Sequence, residues 1–218
     1  MARIDLVTGL LDANSVMAQR NKDVFKENKN YVINLMGVPG CGKTTVLERV
    51  IAALKEKVTI GVVEGDLYTT KDAERINGYG IATVQINTVG ECHLDAATVG
   101  KACLDLSLKD IDLLVIENIG NLVCPAEFEL GEDVKVLVLS VAEGNDKPWK
   151  YPLMFRKANI IIVNKMDLIS YTDFDIEQFK TDMKEINPEA EVWPVSARTG
   201  AGIRELTEWL YTRVKRIA

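Results

Sequence analysis

Residues 37–44 read Gly-Val-Pro-Gly-Cys-Gly-Lys-Thr, which fits the pattern G-x-x-x-x-G-K-[ST]. They stand between an apolar run, Val32 to Met36, and a helix-period stretch over 44 to 56. No other feature restricts the fold so tightly. Glycines let successive backbone N–H groups curl around phosphates, and the following helix adds the positive end of its dipole. Lys43 supplies a charge for the β and γ phosphates, and the Thr44 hydroxyl is a magnesium ligand. Gly37, Pro39, Gly40, Cys41, Gly42, Lys43, Thr44 and Thr45 are therefore assigned to nucleotide contact. A glycine-rich turn with an incidental Lys-Thr is the plain alternative, and the strand-loop-helix setting disfavours it. Val38 is not lysine, which disfavours the ATPase variant with a second lysine in this loop.

The rest of the chain supplies a matching frame. Strand-like runs occur at Val32 to Met36, Val58 to Val63, Ala82 to Ile86, Leu113 to Ile116, Val134 to Val141, Ile160 to Val163 and Val192 to Val195. Helix-period stretches lie at 44 to 56, 69 to 77, 95 to 106, 175 to 187 and 202 to 216. Most strands are apolar on both faces, so both faces must be covered by helices. The expected fold is α/β, a P-loop NTPase with a mostly parallel, doubly wound sheet of about seven strands. Residues 1–218 are expected to form one such domain. Residues 1–30 form its N-terminal helical extension, an amphipathic helix or helix pair whose apolar positions are Leu6, Leu10, Val16, Met17 and Val24. Turns at 37 to 42, 87 to 91, 120 to 125 and 143 to 148 follow strand ends, where such sheets bind ligands.

Composition narrows the partners. A net charge of −6 disfavours a nucleic-acid or anionic-membrane surface, since either needs concentrated positive charge. No apolar run approaches the roughly 20 residues of a membrane span, and residues 1–20 lack the continuous apolar stretch of a secretory signal. A cytoplasmic location is expected, and there Cys41, Cys92, Cys103 and Cys124 are free thiols or metal ligands rather than disulfides.

Two further segments bear on the nucleotide. Asn164-Lys165-Met166-Asp167 follows an apolar strand downstream of the phosphate loop and resembles the guanine-recognition motif of GTPases. There the aspartate accepts from the base, the asparagine braces the loop and the lysine stem covers the ring. Adenine would leave Asp167 unpaired, which is how a polar site rejects the wrong base. Asp167 as a simple cap of the next helical segment is the competing reading. Ser196-Ala197 resembles the supporting loop whose backbone N–H reaches the guanine carbonyl. Leu113 to Glu117 reads as a Walker B strand followed by a γ-phosphate-sensing turn at Gly120. Glu117 reaches magnesium through water, and Asp66, at the end of the second strand, offers the metal another carboxylate. Lys43, Thr44, Asp66 and Glu117 are thus the catalytic set. Asn121 stands where many regulatory GTPases carry a water-orienting glutamine, so slow intrinsic hydrolysis is expected.

Cys92-His93 after the third strand and Cys124 beyond the Walker B turn are both read as loop residues. Two thiolates and an imidazole suit zinc or nickel, and three ligands leave a tetrahedral shell incomplete, which sharing across a two-fold dimer would complete. From the residues alone the set stays open between a metal site and two buried thiols beside a surface histidine.

Cys-His-Leu-Asp-Ala at 92 to 96, Glu-Asn-Ile-Gly-Asn-Leu-Val-Cys-Pro-Ala at 117 to 126 and Glu-Gly-Asn-Asp-Lys-Pro at 143 to 148 extend the pattern. With the phosphate loop and Asn-Lys-Met-Asp, the chain resembles the hydrogenase nickel-insertion accessory GTPases, the HypB family, over nearly its whole length. The resemblance implies a GTP-hydrolysing metallochaperone for [NiFe] hydrogenase maturation that dimerises with GTP and metal. Its partners would be a maturation protein and the hydrogenase large subunit. It implies Cys92, His93 and Cys124 as nickel or zinc ligands grouped at a dimer interface, and Lys147 as a residue that approaches the partner chain's nucleotide. Lys147 as a solvated lysine stays open. The chain has no cysteine before Cys41 and one histidine, so N-terminal nickel binding and storage are not expected. Urease accessory GTPases carry Cys-Pro-His, whereas Cys92 and His93 are adjacent, which favours the hydrogenase branch. The competing readings are a regulatory GTPase without metal cargo and an accessory GTPase for another metalloenzyme such as urease.

Overall fold

A computed structural model of the chain describes residues 6–217. Seven strands form one sheet in the order β3-β2-β4-β1-β5-β6-β7: β1 Tyr31–Gly37, β2 Ile60–Asp66, β3 Ala82–Asn87, β4 Leu113–Glu117, β5 Val134–Ser140, β6 Ile160–Asn164 and β7 Glu191–Pro194. All six pairings are parallel. Every residue of β1, β4, β5 and β6 is buried, whereas the edge strands β3 and β7 are half-exposed. This is the burial expected of continuous apolar strands sandwiched between helices.

The helices are α1 Leu6–Glu27, α2 Lys43–Leu54, α3 Lys71–Asn77, α4 Ala96–Ala102, α5 Cys124–Glu127, α6 Lys147–Lys150, α7 Pro152–Lys157, α8 Ile176–Ile186 and α9 Ile203–Ile217. Alternate residues of each strand serve opposite layers. Ile33 and Leu35 of β1 pack with Val46, Leu47 and Ile51 of α2 and Leu206 and Leu210 of α9. Met36 packs on the other face with Phe155 of α7 and Phe179 of α8, and Val32 packs there with Phe25 of α1 and Val99 of α4. Each fully buried aliphatic or aromatic side chain contributes about 1.5–3 kcal/mol. Among the described residues no helix is long and apolar enough to cross a membrane.

Three readings need correction. The second strand runs on through Glu64, Gly65 and Asp66 and starts at Ile60, because two carboxylates at its C-terminal end disguise residues that still make ladder pairs with β3. Cys124 opens α5 instead of lying in a loop, since Pro125 presets the first helical turn. The N-terminal stretch is one helix, but its buried stripe is Asn14, Ala18, Asn21 and Phe25, while Leu10, Val16 and Val24 are exposed. Asparagines form this contact because they satisfy backbone groups of the neighbouring segments. Asn14 donates to the Glu129 carbonyl and accepts from the Ala96 N–H, both at 2.8 Å, and Asn21 donates to the Ala96 and Leu130 carbonyls. Residues 1–5, where the first positions of that stretch fall, and the side chain of Leu6 lie outside the described residues.

Candidate functional site

The strand order reverses at β1, and the C-terminal ends of β1, β2 and β4 open onto a cavity of about 510 Å³. Pro39, Gly40, Gly42, Lys43, Thr44, Thr45, Gly120 and Lys165 line it, together with Glu64, Asp66 and Glu117. Gly42 precedes α2 at φ 95°, a left-handed conformation, and a Cβ there would sit 2.5 Å from the Asn164 amide nitrogen. Gly120 lies against the Pro39 backbone, 2.9 Å from where its own Cβ would be. A larger residue at Gly42 would displace the Asn164 amide, and one at Gly120 would push on Pro39 of the phosphate loop.

The carboxylates at the cavity floor differ sharply. Glu117 is buried, accepts the Thr44 hydroxyl at 2.7 Å and leaves its second oxygen without a partner. Burial pushes its carboxyl up to about 7, against the pull of Lys43 and the Thr44 hydroxyl. Its register partner across β2 and β4 is Glu64, also buried with one oxygen unpartnered. Burial, then repulsion from Glu117 and Asp66, pushes Glu64 up to about 8. Asp66 is turned into its own loop. Burial raises its carboxyl, but the N–H groups of Tyr68 and Thr69 and the Thr69 hydroxyl outweigh that and hold it below the usual range. Ligating oxygens of Glu64, Asp66 and Asp72 lie within 4.8 Å of one another. Two buried, half-satisfied carboxylates beside a threonine hydroxyl are a donor set suited to a hard divalent cation.

Sequence reasoning missed Glu64, Asp72 and Arg75. Arg75 lines the cavity with its guanidinium held by Glu48 at 2.6 Å and Asp72 at 2.7 Å. The signal for Glu64 was an ionisable residue set directly after a fully apolar strand run. Asp72 and Arg75 read as ordinary exposed helix residues and gave none.

The second wall is held by polar cross-links. Asn164, at the end of β6, donates to the Cys41 carbonyl at 2.9 Å and accepts from the Ala197 N–H at 3.0 Å, so it fastens the phosphate loop to the 196–197 loop. Lys165 takes φ 61° and donates to the Gly40 carbonyl at 2.6 Å. Asp167 accepts the Ser196 hydroxyl at 2.6 Å, with Arg198 at 3.7 Å, and makes no helix cap; Asp175 is the residue that caps α8. Cys41 is buried beside Gly37, and burial pushes its thiol up to about 11. Gly37, Cys41 and Asn164 thus form the frame behind the cavity. Lys147 opens α6 and lies over the Tyr151 ring at 5.8 Å, away from the cavity lining of its own chain.

The Cys-His residues converge. Cys92, His93 and Cys124 bring one ligand atom each within 4.8 Å of one another, with the two sulfurs 2.9 Å apart and His93 Nδ1 3.8 Å from the Cys92 sulfur. The Cys124 thiol is raised, first by its hydrogen bond with Cys92 and then by burial. Cys92 is exposed. Phe128, which sequence reasoning also missed, stacks against His93 with ring centroids 3.9 Å apart and fixes the imidazole.

Residues 31–194 match the family model described as CobW/HypB/UreG, nucleotide-binding domain. The chain belongs to that family. Hydrogenase maturation factor HypB of Escherichia coli K12 is 45% identical over 210 residues, which cover 96% of this chain and 72% of that protein. Two solved structures lie close to this CobW/HypB/UreG member. The crystal structure of HypB from Helicobacter pylori in complex with nickel is 37% identical, with a TM-score of 0.88 over 94% of this chain and 96% of that one. HypB from Archaeoglobus fulgidus is 38% identical, with a TM-score of 0.87 over 93% and 99%.

Proposed function

We propose that this chain is a GTP-hydrolysing nickel metallochaperone that acts in the maturation of [NiFe] hydrogenase. The observation that carries the reading is the convergence of Cys92, His93 and Cys124 within 4.8 Å, next to a phosphate-loop cavity, in a chain similar to a HypB that was crystallised with nickel. Sulfur and imidazole donors suit nickel or zinc as cargo. Cys92 lies exposed at the surface, as a metal that must be handed on requires.

GTP is the nucleotide in this reading. Asp167 would accept from the guanine N1–H and amine, Lys165 would cover the ring and the Ala197 N–H would meet the carbonyl. The phosphates would lie on the N–H groups from Pro39 to Thr45 with Lys43 among them. Magnesium fits the donor set of Thr44, Glu117, Glu64 and Asp66, and when bound it would neutralise charge on the β and γ phosphates. Catalysis then rests on positioning and charge: Lys43 stabilises the phosphoryl oxygens, and Gly120 sits where the γ phosphate reaches the Walker B turn. Water is the nucleophile, and the expected rate is slow because Asn121 faces the cysteine loop.

Three donors per chain leave room for more, so a homodimer that joins two clusters is part of the proposal, with Lys147 meeting the partner's nucleotide. A maturation protein and the hydrogenase large subunit are the proposed partners, and the cytoplasm is the proposed location. Nickel and zinc titrations in GDP and in a non-hydrolysable GTP analogue, with mass from light scattering, test the reading. Binding by the wild type that Cys92→Ala loses, with a nucleotide-dependent shift toward dimer, supports it. Equal metal binding by both proteins leaves a regulatory GTPase without cargo.

A further inference from the structure

Asn121 is the residue at which the phosphate loop and the cysteine cluster meet. Its backbone N–H donates to the Gly37 carbonyl at 3.0 Å, and the two residues form an isolated antiparallel bridge at the mouth of β1. Its side-chain amide donates to the Cys92 carbonyl at 3.2 Å, and its side-chain oxygen accepts the Val123 N–H at 3.0 Å, in the turn that leads directly into Cys124. One asparagine therefore touches the start of the phosphate loop, the backbone of one cysteine and the turn that carries the other. Its neighbour Gly120 is packed on Pro39, so a nucleotide that moves either residue must move Asn121. Asn118 makes a second tie to the same segment, accepting the Leu94 N–H at 3.2 Å, but it is buried and bonds Asn34 below the sheet end, not the phosphate loop.

From these contacts we infer that Asn121 is a positioning residue that transmits nucleotide state to the metal cluster: its amide sets the spacing of Cys92 from Cys124 according to where the phosphate loop holds its backbone. This rests on the reading that Cys92, His93 and Cys124 hold the metal. It assigns Asn121 a role distinct from water orientation, since its amide is committed to a carbonyl of the cysteine loop. Coupling of this kind needs two arrangements of one element that both ligands bias, and the 117–124 turn is that element.

The test is a nickel titration of the full chain with magnesium and either GDP or a non-hydrolysable GTP analogue, for wild type, Asn121→Ala and Asn121→Asp. The aspartate keeps the acceptor for Val123 and the shape of the turn, and it loses the donor to Cys92. In the wild type the two nickel affinities differ by about fivefold or more, the usual lower range of allosteric coupling. In both variants nickel still binds and the ratio falls to within about twofold of unity. A role that is only structural weakens nickel binding equally in both nucleotide states and keeps the ratio. That result, or loss of nickel binding by both variants, overturns the inference. A wild type that binds nickel with equal affinity in both states also overturns it while leaving the metallochaperone reading in place. A wild type that binds no nickel removes both.

Discussion

The two halves of the site are built on opposite plans. The nucleotide cavity is made by the ends of three central strands, with its loops locked by left-handed backbone at Gly42 and Lys165 and by the Asn164 cross-link. The cysteine cluster hangs on a turn and the first residue of a four-residue helix, and one of its sulfurs is exposed. A polyanion needs many dipoles aimed in advance, which only backbone at strand ends and helix starts can hold. A soft metal needs a few strong donors, which side chains on short turns can supply and can also withdraw. In the proposed function, rigidity would suit the nucleotide and looseness would suit a metal that is to be handed on.

That contrast can be broken by experiment. The largest effect is expected from Lys43→Ala, which removes the one buried cation of the phosphate loop. GDP affinity measured by calorimetry should fall on the order of 10²–10³-fold, the worth of a lost pair of charge-assisted bonds. Nickel affinity without nucleotide should change little by comparison. The reverse variant, Cys124→Ala, should weaken nickel binding by at least about 10–100-fold, the range for loss of an outer-shell partner, since it removes one of the three proposed ligands. A comparable loss of GDP affinity in that variant would show that the two halves are one rigid unit.

The next effect concerns acid. Glu64 and Glu117 hold their protons up to about 8 and about 7 in the folded chain, against 4.5 as the ordinary value. Between those limits the folded state binds more protons than the unfolded one. Their contribution to stability is therefore full below about pH 4.5 and lost as pH rises through 7 to 8. The nucleotide-free, magnesium-free protein should lose stability on the order of a few kcal/mol over that range, read as a falling thermal midpoint. Glu64→Gln should flatten the slope, because it removes one of the two titrating groups. An unchanged slope would mean that the floor carboxylates are already paired. The smallest effect is expected at α1, where Leu10→Ser should shift stability by no more than about 0.5 kcal/mol, since that leucine is 65% exposed. Asn21→Ala should cost about 1–3 kcal/mol by leaving the Ala96 and Leu130 carbonyls without their donor.

What could be read beforehand follows the same division. The central strands and the phosphate loop were legible because continuous apolar runs and a fixed glycine spacing are local statements. The N-terminal helix was legible as a helix but not in its orientation: Leu10, Val16 and Val24 face outward, and two asparagines whose partners lie 75 to 115 residues away join Ala18 and Phe25 in the contact. Glu64 was passed over because a charged residue reads as the end of an apolar strand, and only its register with Glu117 shows it to be buried in the floor. Asn121 was weighed against a glutamine from nucleotide chemistry alone, while its amide in fact reaches a cysteine 29 residues earlier.

The sequence by itself determined the phosphate loop, the parallel sheet that carries it and the position of the Asn164-Lys165-Met166-Asp167 segment at the end of a strand. Each of these depends on neighbours within a few residues, where spacing dictates geometry. Tertiary structure alone decided that Cys92 and Cys124 stand 2.9 Å apart, that Glu64 joins Glu117 at the cavity floor and that Asn121 bonds both the phosphate loop and the cysteine loop. Those facts arise from the parallel pairing of β4 between β1 and β2, which brings distant strand ends together. Such pairing is fixed by the packing of the whole core and leaves no mark on the spacing of the residues it joins.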